Sequence, residues 1–319
     1  MLVLRQPVPL PPGTAACIGA FDGLHLGHQA LLNHARALQP RVALVTFDPH
    51  PARVLAPERA PALLQSDAQR ARVCAALAVD ALVLLPFDRE LAATSPAEFA
   101  DRLLIAGLRP AAVVVGPDFR FGAARRGGVA DLADLLRPAG IPVAAVDLVV
   151  DGQSKISSSD IRTAVAAGDL ERAAAKLGRW YAIEGQVVHG AHRGRELGAR
   201  TANIAATNAL LPLPGIYAGA LGVPGTTDVW PAAISLGHNP TFGQGIPLTL
   251  EVHALDVDLG ERLYGATVEV AFAARLRDER RFPGPDELAA QISRDIAEVR
   301  ARIAAADLAA FARYLSSAP

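Results

Sequence analysis

At 319 residues, 51% of them hydrophobic, the chain is longer than a single core usually organises, so two domains are expected. With 31 Lys+Arg against 32 Asp+Glu the net charge is only -1, which excludes a broad basic field for nucleic acid or an acidic membrane; any anion must be held locally. Two cysteines, Cys17 and Cys74, exclude a disulfide framework, MLVLRQPVPLPPG lacks the pattern of a secretory leader, and no apolar run approaches the roughly 18 residues of a bilayer span, so a soluble cytoplasmic protein is expected.

Apolar runs at 15–18, 42–47, 81–86, 112–116 and 142–148 read as strands separated by helical segments. Two of those helices have their starts written in. Ser66 with Gln69 forms a capping box ahead of 70-RARVCAAL-77, and Ser95, Pro96 and Glu98 supply N-cap, first-turn proline and capping acid for 97-AEFADRLLIAG-107. Strands that are apolar throughout, each followed by a helix, predict a doubly wound, Rossmann-like α/β domain over 1–158, with ligands beyond the carboxyl ends of its strands. Residues 159–178 read as a helical linker. From about Arg179 the pattern changes: 180–190, 216–223, 230–237, 248–258 and 266–274 are rich in β-formers with partial two-fold alternation, which predicts a small antiparallel β-barrel in 179–319. Leu288, Ile292, Ile296, Val299 and Ile303 recur at helical spacing and predict one long C-terminal helix packed on it.

The stretch 18-IGAFDGLHLGHQALL-32 sets Gly19, Gly23 and Gly27 among Asp22, His25 and His28. Glycines at a strand end admit close backbone approach, and a helix starting near His28 offers free N–H groups, so phosphate is the natural guest. The two histidines supply too few ligands for a metal shell, and either can equally serve as a helix cap. In 185-GQVVHGAHRGRELGARTANIA-205, Gly190, Gly194 and Gly198 alternate with Arg193 and Arg195, a pattern suited to a cationic lid over phosphates.

The segment 21-FDGLHLGH-28 resembles the His-x-Gly-His signature of the nucleotidyltransferase superfamily, and 155-KISSSDIR-162 resembles that superfamily's second phosphate motif. Together with 46-TFDPHP-51, 116-GPDFRFG-122, the 185–205 segment, 214-PGIYAG-219, 237-GHNPTFG-243, 250-LEVHALDVD-258 and 276-LRDERRF-282, they resemble, in order and over essentially the whole chain, the bacterial bifunctional riboflavin kinase and FAD synthetase family. The resemblance implies an FMN adenylyltransferase half followed by a riboflavin kinase barrel, with ATP, riboflavin, FMN and FAD as substrates and products and Mg2+ as cofactor.

Residue by residue, it implies that Gly19, Asp22, His25, Gly27, His28, Ser158, Ser159 and Arg162 serve the adenylylating nucleotide, and that Asp48, His50, Asp118, Phe119, Phe121 and Arg277 serve flavin. In the kinase half it implies a nucleotide lid at Gly190, Gly194 and Gly198, magnesium at Thr201 and Asn203, and Glu251 as catalytic carboxylate. One departure stands out: the family's Pro-Thr-Ala-Asn is here Arg-Thr-Ala-Asn, with Arg200 restoring an N–H and adding a cation, and Ala199 replaces the usual aromatic residue. A kinase half that only binds flavin therefore stands as an alternative, beside an aminoacyl-tRNA-synthetase-like enzyme, which the near-zero charge disfavours. Small molecules are the expected partners, not nucleic acid or membrane; weak self-association is left open.

Overall fold

The computed structural model describes residues 1–147, 149–151, 154–189, 201–207, 210–237, 248–257 and 263–317. Contacts gather the chain into two compact units, Met1–Pro61 with Arg70–Ser157, and Ala62–Gln69 with Ser158 onward.

In the first unit the chain runs β1 (Leu2–Leu4), β2 (Thr14–Ile18), α1 (Leu26–Leu38), β3 (Arg41–Asp48) and α2 (Pro51–Leu55), then α3 (Asp67–Ala76), β4 (Ala81–Pro86), α4 (Arg89–Ala93), α5 (Pro96–Phe99), β5 (Ala112–Val115), α6 (Val129–Leu136) and β6 (Val143–Ala145). Both capping boxes form: Ser66 N donates to Gln69 Oε1 at 2.9 Å and Gln69 N to Ser66 Oγ at 3.1 Å, while Ser95 N donates to Glu98 Oε2 at 2.8 Å and Glu98 N to Ser95 Oγ at 3.2 Å. Past Phe99 the helix continues as a π-helix over Ala100–Leu108. The six strands pair in parallel in the order β1-β4-β3-β2-β5-β6. β2 is buried from end to end, as a strand covered on both faces must be. Strand order reverses between β2 and β5, so the crevice such sheets use for ligands opens beyond those two strands, at the loops around 19–25 and 116–122. A two-stranded ribbon, β7 (Val150–Asp151) with β8 (Ser154–Lys155), follows.

The second unit begins with α7 (Ser158–Ala166) and α8 (Leu170–Leu177) and continues through β9 (Tyr181–Val188), β10 (Ala202–Ala206), β11 (Gly215–Gly222), β12 (Val229–Gly237), β13 (Thr249–Ala254) and β14 (Thr267–Arg277), ending in α9 (Pro285–Arg302) and α10 (Ala305–Ser316). Its strands close into an antiparallel barrel in the order β10-β13-β12-β11-β14-β9. Ile183, Ile204, Ile234, Val252 and Val270 are buried in the barrel, whereas Val299 and Ile303 of the α9 end, with Phe311 and Leu315 of α10, cover the outside of β11 and β14.

Three expectations are corrected here. The edge strand β1 and the barrel strand β10 carry too few consecutive apolar residues to announce themselves, and the single C-terminal helix is two, broken after Arg302 where Ile303 turns extended. On α9 the fully buried positions in the middle turns are Gln291 and Asp295, each one residue before the expected Ile292 and Ile296, which are half-buried. Polar partners on the barrel side, described below, draw that face inward.

Gly219 marks where the barrel is tightest. It sits at a register shift between β11 and β14, and a Cβ there would lie 1.9 Å from the Ala271 carbonyl oxygen and 2.6 Å from Ile234 Cδ1. Gly219→Ala is expected to destabilise the barrel by about 3 kcal/mol. An unchanged urea midpoint for the barrel transition would show that β11 and β14 separate more easily than this contact implies.

Candidate functional site

The loop after β2 is shaped by backbone conformations that ordinary residues avoid. Phe21 and Leu24 take φ of 45° and 43°, flanking Gly23 at 85°. Each non-glycine residue in this region costs on the order of 1 kcal/mol or more, offset here because both side chains are buried, at 1% and 0% exposure. Two main-chain-directed bonds tie the loop to β3: Gly19 N donates to Val45 O at 3.1 Å, and Thr46 Oγ1 to Ala20 O at 2.9 Å. Asp22 is buried beneath.

This loop delivers His25 to the N-cap of α1, where its Nδ1 accepts from His28 N at 3.3 Å. The two imidazoles stack at 3.6 Å between centroids, and His28 meets the Phe21 ring edge-on at 5.0 Å. Gly27 is required between them, since a Cβ would lie 3.0 Å from His25 Cε1 and 3.7 Å from Ile156 O. Burial, reinforced by the neighbouring His25, holds the His28 pKa well below its ordinary 6.5, so His28 is a neutral ring at neutral pH. Its Nδ1 is buried with no hydrogen-bond partner among the described residues.

Other predicted positions differ in what they do. Asp48 pairs with Arg5 at 3.1 Å on an exposed surface, and His50 caps α2, its Nδ1 accepting from Ala52 N at 3.2 Å. Asp118 pairs with Lys155, whose hydrogen bond and charge lower the carboxyl pKa; this joins the loop after β5 to the strand leading into 155-KISSSDIR-162. Phe121 is core, stacked at 5.7 Å on the half-exposed Phe119 and tilted against Phe99. Ser158 and Ser159 open α7 in the second unit, and Arg162 donates from Nε to Ala62 O at 2.9 Å. Cys17 is no nucleophile: burial pushes its thiol up to about 12.

In the barrel, antiparallel pairing sets Asn203 of β10 opposite Glu251 of β13, and Glu251 opposite Ser235 of β12. The alternate residues Ile204, Leu250 and Val252 are buried, so this polar row lies on the other face. Thr201 Oγ1 lies 3.4 Å from Glu251 Oε2. Glu251 and Ser235 line a cleft of about 420 Å³ whose further wall includes Arg277, Arg280 and Phe282. That volume falls in the usual range for a small-molecule site. Gly190, Gly194, Gly198 and Arg200 lie outside the described residues.

Comparison with known proteins decides between the readings. A family model described as FAD synthetase matches residues 9–160, and one described as riboflavin kinase matches 177–303. The bifunctional riboflavin kinase/FMN adenylyltransferase of Escherichia coli (strain K12) is 37% identical over 287 residues, covering 89% of this chain and 90% of the relative; that of Pseudomonas fluorescens is 37% identical over 298 residues, covering 91% and 93%. The chain belongs to the bifunctional riboflavin kinase/FMN adenylyltransferase family.

A solved structure of a macrolide-efflux protein from Streptococcus pneumoniae shares the architecture, with a TM-score of 0.82 and 28% identity over 94% of this chain and 98% of that one. Among the described residues no helix is long and apolar enough to cross a membrane.

Within this bifunctional family's frame, the structure brings Thr201, Asn203 and Glu251 together, stacks His25 on His28, and leaves His50 and Phe121 with evident structural tasks. Sequence reading passed over Ser235, Arg280 and Phe282, which share the cleft with Glu251. Ser235 was reachable only by knowing which strand pairs with β13. The His28 environment makes a testable statement about pH. Its folded pKa lies below the unfolded value, so the unfolded chain binds more protons just below pH 6.5 and stability falls as pH drops through that range. The His28 ring proton resonance is expected to stay at its neutral position from pH 8 to about 6; a midpoint near 6.5 would mean the ring is solvated.

Proposed function

We propose that the family's two activities are divided along this chain, with riboflavin phosphorylation on 179–319, FMN adenylylation on 1–158, and 159–178 as the helical linker. Riboflavin and ATP give FMN and ADP; FMN and a second ATP then give FAD and pyrophosphate. The observation that carries the kinase assignment is the meeting of Thr201, Asn203 and Glu251 beside one cleft, in the half that matches riboflavin kinase.

A ribityl hydroxyl is a weak nucleophile at neutral pH, so its attack on the γ-phosphorus gains from a base. Glu251 takes that proton as the new O–P bond forms and ADP departs. Thr201 and Asn203 offer oxygen donors, and no group of three His, Cys, Asp or Glu among the described residues makes an all-protein metal cage. That donor set fits magnesium, which keeps phosphate and water among its ligands, better than a buried zinc. When bound, magnesium neutralises charge on the phosphates. Gly190, Gly194 and Gly198 serve as the lid over this nucleotide.

Adenylyl transfer makes different demands. The FMN phosphate is already anionic, so no base is needed, and the rate depends on alignment and on donors aimed at the α-phosphate and departing pyrophosphate. A neutral His28 suits that task, because an N–H donor stabilises charge without first having to be protonated. The family resemblance assigns His25, Ser158, Ser159 and Arg162, with Gly19, Asp22 and Gly27, to adenylyl transfer. Asp48, His50, Asp118 and Phe119, on loops past β3 and β5, are assigned to the flavin, and Phe121 backs them from the core; Arg277 takes the flavin of the kinase half. The setting is cytoplasmic, a reading that a chain with only two cysteines, both buried, supports.

Incubation with riboflavin, ATP and magnesium, followed by chromatography, tests the reading. Wild type is expected to yield FMN and FAD. His28→Ala loses adenylyl transfer by about 100- to 1000-fold while riboflavin phosphorylation continues, and Glu251→Ala does the reverse when FMN is supplied. Equal loss of both reactions in folded protein overturns the division of labour. Riboflavin returned unchanged by wild type would reduce the barrel, with Arg200 at its motif, to a binding role.

A further inference from the structure

The segment 278–284, between β14 and α9, is irregular, so no strand ladder fixes where its side chains stand along the cleft. Side chains of α9 hold it, together with Arg277, the last residue of β14, which the ladder pairs with Ile216. Asp295 accepts from Arg277 Nε at 3.0 and 3.2 Å and from Nη2 at 2.7 Å, while Arg277 Nη1 donates to Asp278 O at 3.0 Å. Gln291 Nε2 donates to Asp295 Oδ1 at 2.7 Å, and Gln291 Oε1 accepts from Arg280 and from Arg294 Nη2, the latter at 2.8 Å. The guanidinium groups of Arg277 and Arg280 stand 5.9 and 4.7 Å from the centre of the Phe282 ring.

Two features separate this arrangement from ordinary surface pairing. The Asp295 side chain is only 7% exposed, and it lies on the inner face of α9 where an apolar residue would bury more favourably. Buried ion pairs are rarely better for stability than a hydrophobic replacement, but they hold a planar guanidinium in one orientation. Second, three residues of this arrangement, Arg277, Arg280 and Phe282, line the cleft that contains Glu251.

We propose that Asp295, with Gln291, is a positioning residue for riboflavin phosphorylation. It touches neither substrate; it fixes Arg277 and Arg280 against Phe282, and so sets the cleft wall that faces Glu251. The inference rests on the reading of this cleft as the kinase site.

Steady-state kinetics of both reactions in the full chain test it. Asp295→Asn keeps the side chain's size and removes its charge, and is expected to raise the riboflavin KM about tenfold with kcat changed less than about threefold, the signature of lost substrate-positioning contacts. Adenylylation of supplied FMN stays within about twofold, since that reaction is assigned elsewhere. In a double-mutant cycle, Asp295→Asn adds nothing to Arg277→Gln, because Asp295 acts through Arg277. Gln291→Leu, which keeps the helix face filled, raises the same KM by a smaller factor and decides the matter if Asp295→Asn does not fold. Unchanged riboflavin KM in both variants overturns the proposal, as does a parallel loss of both reactions with a lowered melting temperature, which marks a role in the fold alone. Glu251→Gln run alongside separates the levels: full phosphorylation by Glu251→Gln removes the kinase-site reading itself, whereas its loss beside a normal Asp295→Asn removes only this inference.

Discussion

The pairing of β10 with β13 is the contact on which the second unit's chemistry depends. Antiparallel register places Asn203 directly across from Glu251, and one residue of slip would send either to the opposite face. The buried Ile204, Leu250 and Val252 on the other face enforce the register, because a slip would exchange them with Asn203, Glu251 and their neighbours. Barrel closure reinforces the constraint, since β10 must also meet β9 and every strand's offset is shared around the ring. The polar row of Asn203, Glu251 and Ser235 thus inherits its geometry from hydrophobic packing on the opposite face.

The first unit solves a similar problem with backbone strain. The reversal of strand order between β2 and β5 fixes where a ligand crevice opens, but His25 reaches the cap of α1 only because Phe21, Gly23 and Leu24 turn the chain through left-handed conformations. Burial of Phe21 and Leu24 holds that turn, and the same burial that stabilises it keeps His28 neutral. Packing and protonation state are consequences of one arrangement. The two halves differ accordingly: the barrel presents a carboxylate, Glu251, beside its cleft, and the first unit presents a neutral imidazole, His28.

Local signals were legible where one short segment decides its own structure. The boxes at Ser66–Gln69 and Ser95–Glu98 close as written, because each needs only residues three apart. The apolar stripe of α9 was less informative: it located the helix but not its innermost face, since Asp295 and Gln291 are drawn in by Arg277 at the end of β14 and by Arg280 just after it. At His50 and Phe121 the motif gave no hint of what the structure adds, a capping bond for one and a place in the core for the other. Ser235 carried no motif at all, and Phe282 stood in a family segment without a role of its own.

The sequence by itself determined the fold class, the division in two and the family, because periodicity, capping and motif order are properties of residues close in the chain. Tertiary structure decided which side chains meet. Thr201 and Glu251 are 50 positions apart in sequence and 3.4 Å apart in space, and Asp295 finds Arg277 across 18 positions through a turn no local rule specifies. Such encounters depend on strand register, helix rotation and the burial of everything between them, and those are set by the chain as a whole.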